Sequence, residues 1–130
     1  MHDVPTTDLQ TPAATRVALR TFFRISEAWQ LDGAEEAILL GELPAIVGTW
    51  RERPPEEPLP RATLERLSHL FGIYASLVEL FQDPSRAHAW LRRPNTAPLF
   101  GGDTALARML LGDVDDLQAV REYLEAQFDH

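Results

Sequence analysis

Residues 64–81 read LERLSHLFGIYASLVELF, and this stretch decides the fold class of the chain. Its apolar side chains recur at intervals of three and four residues, which is the spacing of one face of an α-helix. The members of that face are Leu64, Leu67, Phe71, Tyr74, Val78 and Phe81. Leu70, Leu77 and Leu80 widen the stripe, so we expect this helix to be covered on two sides, either within one chain or by a second copy.

The segment at the start of the chain is predicted to contain a tail and one further helix. Residues 1–11 are polar and are predicted to be disordered. Thr11 followed by Pro12 is a helix start, because a hydroxyl can cap the first turn and the proline ring holds a helical φ. The buried face of this first helix is predicted to consist of Ala18, Phe22, Ile25 and Trp29.

Two short helices are predicted next, joined by a hinge at Gly41. Asp32 and Glu35 form a capping box that opens the second helix, and Gly41 suits the left-handed conformation that ends it. The third helix is predicted from Pro44 to about Arg53, with Leu43, Ile46, Val47 and Trp50 as its buried side. Because two short helices around a tight turn are the layout of a helix-turn-helix motif, residues 12–53 are predicted to be such a domain.

A cluster of prolines separates this part of the chain from the long helix. Residues 54–60 contain four prolines, which cannot continue a helix, so they are predicted to be an extended connector. Residues 61–130 then form the second predicted domain.

Three more helices are predicted after the long one. The first begins at Asp83-Pro84, the second is capped by Asp103 or Thr104 and stops at Gly112, and the third is opened by Asp113 and Asp116. The buried face of the last helix is predicted to be Leu117, Val120, Leu124 and Phe128. Nothing alternates with period two over the length of a strand, so the prediction is an all-α protein with about seven helices.

Composition and charge exclude several classes of function. The 130 residues carry 12 basic and 20 acidic side chains, a formal charge of −8, which argues against broad, sequence-blind binding of nucleic acid. The chain has no cysteine, and its four histidines lack the spacing of metal ligands, so we predict no metal, no cofactor and no enzymatic activity. Without a signal peptide or a membrane span, a cytoplasmic protein is expected.

The third predicted helix would read DNA if the helix-turn-helix is functional. Its exposed positions hold Pro44, Ala45, Gly48 and Thr49, which are short and poorly suited to hydrogen-bond a base edge. The DNA-binding candidates are Thr49 and two arginines that could meet phosphate, Arg51 and Arg53. Help from the first helix could come from Arg16, Arg20 and Arg24. Two interpretations stay open: a packing module that keeps the shape of the motif, and a working DNA contact.

The second distinctive stretch, which we call the ledge, comprises residues 90–102. It reads WLRRPN at residues 90–95 and LFGG at residues 99–102. Asn95 can brace a turn through its own backbone, and the two glycines allow positive φ and close approach of another backbone. The ledge is either a connector whose Trp90 and Leu99 fill the core or an exposed binding surface.

The order of these parts resembles that of the Xre/MbcA/ParS antitoxins. The clearest similarity covers about residues 64–127 and lies in a W-L…P-N…L-G-G…L…G signature. Its positions here are Trp90, Leu91, Pro94, Asn95, Leu99, Gly101, Gly102, Leu106, Leu110 and Gly112. The chain departs from the family where a proline is common after the double glycine, because Thr104 and Ala105 stand there.

The resemblance implies an antitoxin of a bacterial type II toxin-antitoxin system. Residues 61–130 would be the toxin-binding domain, a RES-domain toxin that consumes NAD would be the partner, and the antitoxin would dimerise and block the toxin's active site. It implies toxin contacts at Trp90, Leu91, Arg92, Arg93, Pro94, Asn95, Leu99, Phe100, Gly101, Gly102, Phe128 and His130. Such antitoxins can also repress their own operon by binding operator DNA. The alternative is a stand-alone helix-turn-helix regulator whose C-terminal half only dimerises.

Overall fold

A computed structural model describes residues 11–128, and all seven of their regular elements are α-helices. They are α1 (Pro12–Trp29), α2 (Gly33–Leu40), α3 (Pro44–Glu52), α4 (Arg61–Phe81), α5 (Pro84–Leu91), α6 (Ala105–Met109) and α7 (Val114–Ala126). The prediction of an all-α fold with about seven helices is confirmed. The predicted tail, up to residue 10, and the predicted contact residue His130 lie outside the described residues.

Most helices begin and end close to where the local sequence predicts, but α6 ends at Met109, three residues before the predicted stop at Gly112. Thr11 caps α1 by accepting a bond from the backbone N–H of Ala14 (3.0 Å), and Asp32 and Glu35 form the capping box of α2. Gly41 ends α2 with a φ of 69°. At α6 the cap is Thr104, whose hydroxyl accepts from the N–H of Ala107 (3.0 Å), so the choice between Asp103 and Thr104 is decided.

The long helix α4 lies at the centre of the fold. It packs against α7, and it also contacts α1, α2 and α5. Leu67, Leu70, Ile73 and Leu77 are fully buried, so helices of the same chain cover the wide apolar stripe. The predicted stripe is displaced at one edge: Val78 is exposed, whereas Ile73 was not predicted to be buried. Because neighbouring helices cover α4 on two sides, its buried positions lie between the two predicted rows of apolar residues.

The two halves of the chain share one hydrophobic core. A single cluster of buried apolar side chains includes Phe22 and Trp29 of α1 together with Leu91 and Leu117 of the C-terminal half. The connector takes part as well, because Leu59 is buried. The domain boundary at residues 54–60 stays a prediction from the sequence. In the structure, the residues before and after it pack into the same core.

Two predicted core faces need correction. On α3, Val47 and Trp50 are buried, but Leu43 is 66% exposed and Ile46 is also exposed. This helix has only nine residues and packs mainly on α1 and α2, so its buried arc is narrow. At the end of the chain Phe128 is exposed, because α7 stops at Ala126 and the helical spacing no longer applies.

Candidate functional site

The ledge closes on itself through backbone and side-chain hydrogen bonds around Asn95. The side-chain oxygen Oδ1 of Asn95 accepts from the N–H of Ala97 (2.9 Å), and its carbonyl accepts from the N–H of Gly102 (2.9 Å). Its own N–H donates to the carbonyl of Asp103 (3.0 Å). Gly101 and Gly102 have φ values of 59° and 91°, so the predicted roles of Asn95 and of the glycines in positive φ are confirmed. The result is a fixed loop.

An aromatic cluster packs the ledge against α7. Trp90 meets the edge of Phe100 at a centroid distance of 5.8 Å and stacks on Tyr123 of α7 at 6.3 Å. Phe100 meets Tyr123 at 5.1 Å. Phe100 is only 6% exposed and Leu91 is fully buried, so neither of these two predicted contact residues offers its side chain to a partner. These side chains hold the ledge in place because they link it to α7.

Two arginines tie the ends of the ledge to neighbouring elements. Arg92 donates from Nη2 to the carbonyls of Trp29 (3.0 Å) and Gln30 (2.9 Å), which are the last turn and the cap of α1. Arg108 of α6 donates to the carbonyl of Leu99 (3.1 Å) and pairs with Asp116 (2.8 Å). The predicted contact residue Arg92 is thus occupied by intramolecular bonds.

Besides Arg92, four predicted contact residues of the ledge are exposed: Arg93, Pro94, Gly101 and Gly102. The side chain of Arg93 makes no hydrogen bond or ion pair with any of residues 11–128. No atom lies within 4 Å of where a Cβ would stand on either glycine, so the backbone there is open to a partner. Beside them lies a groove of about 260 Å³, the ledge groove, whose lining includes Leu99, Gly101 and Leu111.

Sequence reasoning did not identify Tyr123, Arg108 or Leu111 as part of this site. Tyr123 is adjacent to the predicted core residue Leu124, and its helical spacing of three from Val120 would have placed it near the buried face. The sequence around Arg108 and Leu111 does not indicate that they belong to this site. Both meet the loop at residues 98–101, which lies about ten residues earlier in the chain. The predicted contact residue Phe128 is exposed near the ledge. The residue before it, Gln127, lines a small cavity of about 220 Å³ together with Trp90 and Tyr123.

A second concave surface, the basic groove, lies between α1 and α3. It has a volume of about 650 Å³, and its lining includes Arg16, Arg20, Arg24 and Arg51. Within residues 11–128, the first three of these arginines have no hydrogen bond or ion pair. They follow one another at intervals of four residues, so they project from one side of α1.

Arg51, in contrast, is held by the fold. It pairs with the buried carboxylate of Glu36, which also accepts from the hydroxyl of Ser26, and its guanidinium lies 4.3 Å from the ring centroid of Phe23. Thr49 donates its hydroxyl proton to the carbonyl of Ala45 (3.0 Å), and Arg53 is exposed. The predicted DNA-binding residues therefore differ in how free they are to reach a phosphate.

Among residues 11–128, no three His, Cys, Asp or Glu side chains are grouped so as to hold a metal ion. No helix in this part of the chain has the length and apolar character to cross a membrane.

Comparison with known proteins assigns the region that contains the ledge. Residues 76–129 match the family described as the antitoxin Xre/MbcA/ParS C-terminal toxin-binding domain. The chain is also similar to the uncharacterized protein y4oB of Sinorhizobium fredii (strain NBRC 101917 / NGR234), with 41% identity over 109 residues. That alignment covers 84% of this chain and 82% of the relative.

The C-terminal part of the chain is thus a toxin-binding domain of the Xre/MbcA/ParS type, which supports an antitoxin role. The chain as a whole belongs to the family that includes y4oB, since the similarity extends over most of both proteins.

Proposed function

We propose that this protein is the antitoxin of a bacterial type II toxin-antitoxin system and that it acts by inserting the ledge into the active-site cleft of its toxin. The observation that carries this proposal is the rigid ledge within the matched toxin-binding domain, with Arg93, Pro94, Gly101 and Gly102 exposed. Inhibition needs only binding, so the protein has no catalytic step of its own.

The ledge is suited to this task because its shape is set before the partner arrives. A loop that is already fixed by hydrogen bonds loses little conformational entropy when it binds, so more of the contact energy contributes to affinity. Its exposed surface combines a cation, Arg93, with backbone groups of the two glycines. Buried residues Leu91 and Phe100 act indirectly by supporting this surface.

We further propose that the toxin is a RES-domain enzyme that consumes NAD. The support is the resemblance of the W-L…P-N…L-G-G pattern, together with charge: a cleft that binds the phosphates of a dinucleotide is basic, and this chain carries a net charge of −8. The two proteins would form a complex in the cytoplasm that contains a dimer of the antitoxin.

Co-expression with the products of neighbouring open reading frames tests this function. A tagged form of the chain is expected to capture one neighbour, and that neighbour expressed alone is expected to deplete cellular NAD. Capture of a toxic neighbour that leaves NAD unchanged would contradict the RES assignment but keep the antitoxin role. If no neighbour is captured and none is toxic, the antitoxin role is wrong.

We also propose that the protein represses its own operon, and that the basic groove carries the phosphate contacts. Arg16, Arg20 and Arg24 are exposed and free of partners within the described residues, whereas the positions of α3 expected to face DNA, Pro44, Ala45, Gly48 and Thr49, carry short side chains. Binding would then depend on phosphates and would weaken steeply with salt.

A gel-shift assay with the upstream region tests this second activity in the absence of toxin. Replacing Arg16, Arg20 and Arg24 together by Ala should abolish the shift, while Thr49→Ala should leave it unchanged. Strong operator binding combined with no toxin partner would favour the stand-alone regulator instead.

A further inference from the structure

The hinge between α2 and α3 exposes apolar side chains around a concave surface. This hinge groove has a volume of about 560 Å³, and its lining includes Ala34, Ile38, Leu43, Pro44 and Gly112. Its lining contains one charged residue, Glu42, and no basic residue. Leu43 projects into solvent, although leucine is a residue that folding normally buries. A surface depleted of charge and rich in apolar groups has the composition of the centre of a protein interface.

Arg66 of α4 fixes the hinge groove to the toxin-binding domain. Its Nη1 donates to the carbonyl of Ile38 (3.2 Å), and its Nη2 donates to the carbonyl of Gly112 (2.7 Å). One guanidinium thus holds the end of α2 and the turn after α6 together. The groove is formed between parts of the chain that are far apart in sequence, and it is rigid before any partner binds.

Leu111 connects the hinge groove to the ledge. It precedes Gly112, which lines the hinge groove, and it lines the ledge groove together with Leu99 and Gly101. Its side chain is 71% exposed, the largest exposed fraction among the large apolar residues that the structure describes. The ledge groove and the hinge groove therefore meet at two adjacent residues, Leu111 and Gly112.

We infer that the toxin bound by the ledge also covers Leu111 and places an apolar side chain in the hinge groove. This inference rests on the proposed antitoxin function. The toxin is the occupant because the surface is continuous with the matched toxin-binding domain, in which Leu111 and Gly112 lie. A stable complex buries about 800 Å² on each partner, which is more than a single short loop provides. Nucleic acid is not the occupant, because no basic residue lines the hinge groove and Arg66 beside it is bonded to the carbonyls of Ile38 and Gly112.

The test is the affinity of purified full-length chain for the toxin, identified by the co-expression experiment and made catalytically inactive for handling. Leu43→Ser and Leu111→Ser should each weaken binding about tenfold, the loss typical of a contact near the centre of an interface. Val17→Ser is the matched control: Val17 is 59% exposed on α1 and lines neither groove, so its replacement should change affinity less than about twofold. All three replaced side chains are exposed, so the variants should fold, and circular dichroism would verify this.

Different failures have different meanings. If Arg93→Ala weakens the complex but Leu43→Ser and Leu111→Ser do not, the toxin contacts the ledge alone and the inference is overturned while the proposed function stands. If the two serine variants instead convert a dimer to a monomer in light scattering and leave toxin affinity unchanged, the surface joins two antitoxin copies, which also overturns it. If the wild-type chain binds no toxin, the proposed function itself has failed, and the inference fails with it.

Discussion

Asn95 stabilises the ledge through three groups at once: its side-chain oxygen, its carbonyl and its N–H. An alanine at this position keeps both backbone bonds and loses only the bond to the N–H of Ala97. A neutral hydrogen bond of this kind contributes about 1 kcal/mol, so the fold should survive while the ledge becomes less ordered.

We therefore expect Asn95→Ala to weaken toxin neutralisation without unfolding the protein. Arg93→Ala should do the same for another reason, since it removes an exposed cation. Survival of cells that co-express toxin with each variant measures the effect, and Ser85→Ala, at an exposed position of α5 outside the ledge, is the control. Full protection by both variants would show that the ledge is not the contact surface.

Trp90 has a structural role at the residue scale, because it packs on Phe100 and Tyr123. Its replacement by alanine would leave a cavity between the ledge and α7. Because Trp90 is half-buried, we expect a loss near the lower end of the range for large aromatic residues, about 3 kcal/mol. Urea denaturation measures the change, and a midpoint equal to that of wild type would contradict the packing role.

At the scale of single elements, α6 depends on its cap. The helix has only five residues, and its N-cap Thr104 accepts a bond from the N–H of Ala107, which would otherwise lack a partner in the first turn.

Thr104→Ala should consequently lower the free energy of unfolding by about 1 kcal/mol. The ledge should loosen too, because Thr104 adjoins Asp103, whose carbonyl binds the N–H of Asn95. Hydrogen exchange of the ledge amides would report this, and Ser85→Ala, outside the ledge, again serves as the comparison. Equal exchange in both variants would mean that the cap of α6 does not order the ledge.

At the scale of the whole molecule, Arg66 and Arg92 join the N-terminal and C-terminal halves. Each donates from one half of the chain to backbone carbonyls of the other: Arg66 to Ile38, and Arg92 to Trp29 and Gln30. These bonds end at helix termini, where carbonyl groups lack partners within the helix. Hydrogen bonds from these two arginines therefore link the two halves at the edge of the shared core.

Replacing Arg66 by Leu should destabilise the protein by about 2 kcal/mol, since the hydrogen bonds of a charged donor are lost and the carbonyl of Gly112 loses this donor. In this variant, amide hydrogen exchange should rise more in α2 than in α7. Arg86→Leu is the control, because Arg86 is exposed and has no partner within the described residues. If both variants unfold at the same urea concentration, Arg66 does not join the halves.

Local sequence determined the class of fold and the ends of most helices. Caps such as Thr11 and Asp32, the hinge at Gly41 and the turn at Asn95 act on atoms only a few residues away, so their effect can be read from adjacent letters. Helical periodicity is equally local, and it predicted α1, α4 and α7 together with most of their buried residues.

Only the tertiary structure decided which apolar residues stay exposed. Leu43 was expected in the core and is exposed, whereas Phe100, for which burial and exposure were both open, is buried. Burial depends on which helix lies opposite. Sequence spacing also does not show that Gly112, next to Leu111, lines a groove with residues 34–44, which are distant in sequence. Periodicity indicates a face that can be buried, and the packing of the other helices determines whether it is.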